Sequence, residues 1–340
     1  MAKTIGEWAR NPAEFLHWYD HAQASIIALS GIARARVLDH LGDAPRTAGE
    51  IAADAGVDAG QLGRLLAFLG SQGVLDVDAE TRYRHTEFSR MLRRDHPASL
   101  QAVLSVTHNL FTTGEALPEA MATGRMPQQV AHGQSFFEMM RADPVKADDF
   151  ARFMSATTAL AEEAVLSRHE FAPFTLAVDV GGNHGSLLLR LLALQPRARG
   201  ILFDLPDVVA QARPTLDAHA SGSRVEVIGG SFFENVPAGG DLYLLKQILH
   251  DWEDEPSTAI LRRIRAAIAP GGRLVVIDRL MPEEIRPHPA YQMDLYMLLL
   301  LGARERKRSE FAALFAQCGF RLERVTEDPH VPSVLEAVPV

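Results

Sequence analysis

A histidine, two carboxylates and a glycine-rich turn are the residues of this chain whose types and spacing suit chemistry. His250 lies in the run Lys246-Gln-Ile-Leu-His-Asp-Trp252, directly after an apolar segment, Asp241 to Lys246, that reads as a buried strand. No apolar helical stripe accounts for a histidine there. Asp278 ends the next strand-like segment, Arg273 to Asp278, and Glu305 sits in the polar run Arg304 to Arg308 before the last long helical pattern. A histidine with carboxylates around it is a general-base arrangement, because the acids orient the ring and stabilise its protonated form.

The turn is Val178-Asp179-Val180-Gly181-Gly182-Asn183-His184-Gly185. An apolar strand from Leu176 stops at paired glycines, which permit a tight turn and a close backbone approach to a ligand. Ser186 to Leu194 then reads as a helix with a wide leucine face, and Ile201 to Asp204 as a second strand ending in an acid. A carboxylate about twenty residues beyond such glycines grips a ribose in nucleotide-binding α/β folds. Asn183 and Ser186 stand where a dinucleotide fingerprint needs glycine, and no Gly-Lys-Ser/Thr follows. The remaining pattern, D-x-G-G-x-x-G, suits a phosphate-free adenosyl ligand lying on the loop, such as S-adenosylmethionine (SAM). The same glycines also fit a plain turn with no ligand.

The elements that must position these groups alternate strand and helix from Leu176 onward, as in a doubly wound α/β domain. Further strands are expected at Val225–Ile228, Arg321–Val325 and Val334–Ala337. Ligands of such sheets bind beyond the carboxyl ends of the strands, where Asp204, Lys246 and Asp278 fall. Upstream, Asn11 to Leu41 reads as a helix with enough aromatic and aliphatic side chains to meet another subunit or to pack within the chain. Thr47 to Val77 has the layout of a winged helix-turn-helix, opened by the capping pattern Thr47-Ala-Gly-Glu50, with Val74–Val77 and Arg82–His85 as the two wing strands. Its second helix carries only Arg64 as a DNA-reading side chain, against the several that such helices use. Gly114 to Leu166 reads as helices broken near Gly124–Pro127, Gly133 and Asp143-Pro144, rich in Phe and Met that suit a core or one wall of an apolar pocket. The expected division is residues 1–100, a helical winged-helix domain; 101–166, a helical connector; and 167–340, a Rossmann-like domain.

Composition narrows the function classes. A net charge of −9 over 340 residues argues against nucleic acid as a partner. The single cysteine, Cys318, rules out an intramolecular disulfide and fits a reducing cytoplasm, as a buried thiol beside Phe315 and Phe320. No signal-peptide pattern opens the sequence, and the apolar run Leu295 to Leu301 is too short to cross a bilayer, so no membrane partner is expected. The histidines are scattered, with no HExxH or Cys/His cluster for a metal and no GxSxG elbow for a serine hydrolase.

The motifs together resemble the SAM-dependent O-methyltransferases of small molecules, the caffeate and hydroxyneurine-like group of plants and bacterial natural-product pathways, over nearly the whole chain. Val178 to Gly182 is similar to that family's SAM loop, which implies cofactor contacts at Asp179, Gly181 and Gly182. Phe203-Asp-Leu-Pro206 resembles its second motif, with Asp204 on the ribose hydroxyls and Leu205 beside it. Gly229 to Phe233 resembles the adenine-contacting segment, with Ser231 and Phe232 near the base. The Leu245–Trp252 run carries over His250 as catalytic base and Lys246 as a cofactor contact, with Asp278 and Glu305 as the acids beside the histidine. Met154, His184, Trp252 and Asp294 are the candidate substrate contacts. The resemblance further implies a homodimer, a small hydroxylated substrate, SAM as methyl donor leaving S-adenosylhomocysteine (SAH), and no metal.

Four residues depart from the family pattern. Asn183 replaces a loop glycine but tolerates a left-handed backbone. His184 replaces a threonine and is bulky enough to touch cofactor or substrate. Ser231 stands where an acid usually contacts adenine. Asp278 is one methylene shorter than the glutamate of plant members, which is expected to loosen its hold on His250. Two other readings are carried forward: a family member diverted to pericyclic, hydroxylation or decarboxylation chemistry with SAM bound, and a DNA-binding regulator with a ligand-sensing domain.

Overall fold

The computed structural model describes residues 4–8, 11–96 and 99–340. The chain forms two compact units, one from Met1–Ala116 and Gln134–Thr158, the other from Leu117–Gly133 and Ala159–Val340.

In the first unit a long helix, Pro12–Arg34, is capped by Asn11, whose side chain accepts from the backbone of Ala13 and Glu14. The sequence suggested a helix running on to Leu41. Instead Arg36 turns left-handed (φ 55°) and a single 3₁₀ turn, Val37–His40, follows. The break lets Val37, Leu38 and Leu41 enter the core with Ile32, Ile51, Leu66 and Leu69. The expected capping box forms: Thr47 Oγ1 accepts from the Glu50 amide, and the Glu50 carboxylate accepts from the Thr47 amide at 2.8 Å. It opens helix Ala48–Ala55, and Ala59–Ser71 follows. Strands β1 (Leu75–Val77) and β2 (Tyr83–His85) pair antiparallel as the wing. On the first helix Leu16, Tyr19, Ile26 and Ile27 are left exposed.

In the second unit the strands are β3 (Leu176–Val180), β4 (Arg199–Asp204), β5 (Val225–Gly229), β6 (Leu242–Lys246) and β7 (Arg273–Asp278), then the short β8 (Leu280–Met281) and β9 (Arg306–Lys307), and finally β10 (Phe320–Thr326) and β11 (Ser333–Pro339). Seven of them form one sheet in the order β10-β11-β7-β6-β3-β4-β5, parallel except at β10 and β11. Successive residues of the buried strands face opposite sides, so two cores form. Val178, Val180, Tyr243, Leu245 and Val276 lie in one, and Ala177, Leu202, Leu244 and Val275 in the other. Helix Ser186–Leu194 buries Leu187, Leu188, Leu189, Leu191 and Leu192 in the second core. Cys318 is buried at the end of helix Arg308–Gln317, and burial pushes its thiol up.

The chain runs from β3 to β4 to β5 in one direction and then returns to place β6 on the other side of β3. That reversal is a topological switch point, where open α/β sheets leave a crevice for ligands. Among the described residues, no helix is long and apolar enough to cross a membrane.

Candidate active site

The glycine turn follows β3, at the switch point of the sheet. A Cβ placed on Gly182 would lie 2.6 Å from the Asp179 carboxyl carbon and 2.6 Å from Leu202 Cδ1. One on Gly181, whose φ is +71°, would lie 2.5 Å from Ile248 Cδ1 and 3.8 Å from the Phe232 ring. The turn has space for backbone only. Asn183 adopts the left-handed conformation expected of it (φ 53°). Its amide donates to Asp204 Oδ2 at 2.9 Å, and the Leu205 amide donates to Oδ1 at 2.7 Å. Both oxygens of Asp204 are thereby aimed, and each keeps a lone pair for a ligand hydroxyl. Burial raises the Asp204 carboxyl, while the two amides and the charge of His184 act to lower it. Asp179 is fully buried. Desolvation pushes its carboxyl up to about 7, with Lys246 pulling it down and Glu162 and Asp204 adding to the rise.

Lys246 ends β6, and its Nζ lies 2.7 Å from Glu162 Oε1, which also accepts from Ser186 Oγ at 2.7 Å. Glu162 was not singled out from the sequence. Phe232 stacks edge-on against Phe233 and Trp252, and Ser231 Oγ accepts from the Phe233 amide.

His250 is buried in a single 3₁₀ turn, Leu249–Asp251, just beyond β6. Its Nδ1 lies 3.0 Å from Glu305 Oε1 and its Nε2 lies 3.3 Å from Asp251 Oδ1. The Glu305 amide in turn donates to Asp294 Oδ1 at 2.9 Å, so Asp294 holds the loop that carries Glu305. Arg306, only 1% exposed, clamps the histidine turn: Nη1 donates to the Leu249 carbonyl and Nη2 to the Trp252 carbonyl, both at 2.7 Å, and Nε to Asp254. The parallel pairing of β8 with β9, Leu280↔Arg306, fixes that arginine in register. Burial opposes a charge on His250, but Asp251, Glu305 and Asp278 outweigh it and push the imidazole up to about 10.

Asp278 is held as loosely as its shorter side chain leads one to expect. It lies in the same electrostatic cluster but makes no hydrogen bond to the ring. Both of its buried carboxylate oxygens lack a hydrogen-bond partner among the described residues. The shorter side chain acts on His250 through charge alone. Desolvation, offset in part by His250, pushes the Asp278 carboxyl up to about 8. Met154 lies on helix Pro144–Arg168 in the first unit, half-buried. His184 is half-buried in the glycine turn.

Comparison with known proteins gives the lineage. Residues 115–321 match the O-methyltransferase domain, and residues 21–95 match the O-methyltransferase dimerisation domain. The chain belongs to the O-methyltransferase family. It is 36% identical over 310 residues to a phenazine O-methyltransferase of Lysobacter antibioticus, covering 91% of each chain. It is 32% identical to an aclacinomycin 10-hydroxylase of Streptomyces purpurascens, covering 91% of this chain and 86% of the relative. Among solved structures, a mitomycin 7-O-methyltransferase aligns with a TM-score of 0.88 at 33% identity, covering 98% of this chain and 99% of that one. An O-methyltransferase of neocarzinostatin biosynthesis, in complex with SAH and 1,4-dihydroxy-2-naphthoic acid, aligns with a TM-score of 0.80 at 33% identity, covering 93% and 96%. The enzyme is a SAM-dependent O-methyltransferase of natural-product biosynthesis.

The methyltransferase's own residues fit that cofactor. At Gly181 and Gly182 a side chain would run into Ile248, Asp179 and Leu202, so the turn stays bare backbone; the doubly oriented Asp204 suits a ribose diol, and the Phe232 ring near Gly181 suits a flat base.

The orphaned Asp278 sets a pH prediction. Its folded carboxyl value lies above the ordinary 3.8, at about 8, so the native state holds an extra proton between the two. Stability from this group therefore falls as pH rises from about 4 to 8. His250 acts in the same direction over a higher window: its contribution is full below 6.5 and is lost as pH rises toward about 10. Asp278→Asn is expected to raise Tm above that of the parent protein at pH 8.5 by roughly 2–5 °C, with a smaller gap at pH 5. It should also move the alkaline limb of kcat to lower pH, because one of the carboxylates that raise His250 is gone. A pH series of melting curves and turnover on one acceptor checks both.

Proposed function

We propose that this enzyme moves the SAM methyl to a hydroxyl of a small aromatic or polyketide-type natural product, with His250 taking the hydroxyl proton. The observation that carries the reading is His250 itself: buried one strand from the glycine cradle, with Nδ1 held by Glu305. An unperturbed histidine near pKa 6.5 facing a phenol near 10 would face a gap of roughly 3.5 units, about 5 kcal/mol. Asp251, Glu305 and Asp278 narrow that gap by raising the ring against the cost of its burial. The same environment keeps the ring protonated at neutral pH, so turnover should climb as the medium becomes alkaline. SAM, when bound, supplies the electrophilic methyl. The chain's residues hold the acceptor oxygen in line, keep the ring oriented through Glu305, and carry the proton away on Nε2.

Support for an aromatic acceptor comes from the relatives, whose names include phenazine and naphthoate substrates, and from Phe232, Phe233 and Trp252 near the turn. A second reading is kept because the relative named as a 10-hydroxylase shares 32% identity. Incubation with SAM and a panel of hydroxylated aromatics and polyketides, read by mass spectrometry, separates the two. A product heavier by one methylene with stoichiometric SAH is the expected result. An oxygenated product with SAM unconsumed favours the second reading.

The enzyme is further proposed to work as a homodimer in which Leu16, Tyr19, Ile26 and Ile27 of the first helix meet a second copy. Ile27→Asp is expected to raise the dimer Kd at least about tenfold, since a charge in a desolvated contact loses over about 1 kcal/mol. Analytical ultracentrifugation checks this, and a monomeric parent protein contradicts it.

A further inference from the structure

In the reaction proposed above, each turnover leaves a proton on Nε2 of His250, and the ring has to lose it before it can act again. Nδ1 offers no way out. It is held by Glu305 Oε1 at 3.0 Å, and the Glu305 side chain is fully buried. Beyond it, Glu305 Oε2 and both oxygens of Asp278 are buried and take no hydrogen bond among the described residues. A proton passed in that direction would stay in the interior. Arg306 closes the turn from β9, donating to the carbonyls of Leu249 and Trp252.

The Nε2 side is different. Asp251, the next residue on the same 3₁₀ turn, brings Oδ1 to 3.3 Å from Nε2. Of the three carboxylates that raise the ring, it is the one that reaches solvent. Its side chain is 23% exposed, against 8% for His250, whereas Glu305 and Asp278 are buried. The Asp251 amide donates to the Ile248 carbonyl at 3.1 Å, so the turn fixes the backbone that carries the carboxylate. Among the described residues its one ion-pair partner is the histidine. Burial raises the Asp251 carboxyl above the ordinary value, with His250 pulling it down and Glu305 adding to the rise. A raised carboxylate is a stronger base than a surface one and a nearer match to an imidazolium.

We propose that Asp251 is the proton exit of this site: its carboxylate takes the proton from Nε2 of the imidazolium and passes it to solvent water. The N–H bond at Nε2 breaks as an O–H bond forms at Oδ1, leaving a neutral imidazole and a neutral carboxylic acid. The acid then releases the proton to water and is a carboxylate again. The released proton balances the positive charge that the SAM sulfonium gives up with its methyl. The carboxylates that strengthen His250 as a base also make its imidazolium slow to give a proton directly to water, so the relay bears on the turnover rate. This rests on the reading of His250 as the base and adds a second residue that touches the atom carrying the proton.

The test is kcat against the concentration of small neutral bases, a series of substituted imidazoles, at fixed pH and ionic strength. It is run on the parent enzyme, Asp251→Ala and Asp251→Glu with the best acceptor of the panel. The parent is expected to be indifferent to the imidazoles. Without them Asp251→Ala should lose at least about tenfold in kcat, and it should regain most of that as they are added, more with the more basic members of the series. Asp251→Glu keeps a carboxylate and should stay independent of the added base. A neutral base replaces neither a lost charge nor lost packing, so a structural or purely electrostatic role leaves the deficit of Asp251→Ala unrescued, and that result overturns the proposal. Undiminished kcat in Asp251→Ala without imidazole overturns it too. So does a parent enzyme whose own kcat climbs with imidazole, a comparison that decides even if the variants fail to fold. Parental turnover in His250→Asn removes instead the base on which the inference rests.

Discussion

Replacing His250 by alanine is expected to lower kcat by at least about 100-fold, the lower range for a lost general base, while SAH affinity changes little. The ring is the only proton acceptor in the turn after β6 that the structure both buries and orients, through Glu305 at 3.0 Å. Removing it also strands Asp251, Asp278 and Glu305 beside one another without the cation that compensates them. That is strongly destabilising for buried charges, which then take up protons instead. His250→Asn is the companion variant, because its side-chain amide still donates to Glu305 while offering no base. Steady-state turnover and SAH titration on both variants check the prediction. Near-parental kcat in either folded variant sinks the assignment of the base.

Gly182→Val should have the largest effect on cofactor binding. The new Cβ would fall 2.6 Å from Leu202 and from the Asp179 carboxyl, both fully buried and hemmed in by the second core. Such overpacking destabilises by about 1–3 kcal/mol and drives the turn outward into the space the ligand needs. SAH affinity is expected to drop by about 100-fold or more, a loss of roughly 3 kcal/mol. Calorimetry with urea unfolding in parallel separates the lost cradle from general instability. Unchanged SAH affinity would show that the cofactor does not lie on this turn.

Much of the catalytic unit was legible because its elements obey a simple period. Helix Ser186–Leu194 was read from its leucine face with the bounds it has in the structure, and the parallel strands from apolar runs ending in polar residues. Asn183 was read correctly because only a few residue types accept its backbone. The end of the first long helix at Arg34 was not legible, since neither glycine nor proline marks it and the demand comes from Val37, Leu38 and Leu41 in the core. The structure brings His250, Asp278 and Glu305 into one cluster, as the sequence led one to expect, but their supports were not legible. Glu162 stands in an Ala-Glu-Glu-Ala stretch that looks solvated, and Arg306 in a charge run whose Arg304, Lys307 and Arg308 stay at least partly exposed. Side-chain pattern cannot tell which member of a charged run turns inward when the reason is a partner 52 or 84 residues away. Asp278 was read as holding His250 more loosely for want of a methylene, and it makes no hydrogen bond to the ring.

The most direct measurement is a single turnover with methyl-labelled SAM and the best acceptor of the panel, in the parent enzyme and in His250→Asn, with product resolved by mass. The account predicts labelled methyl on the acceptor oxygen and one SAH per product in the parent, with the same product formed at least about 100-fold more slowly in the variant. An acceptor transformed without the label, or a labelled product formed equally fast without His250, would contradict it.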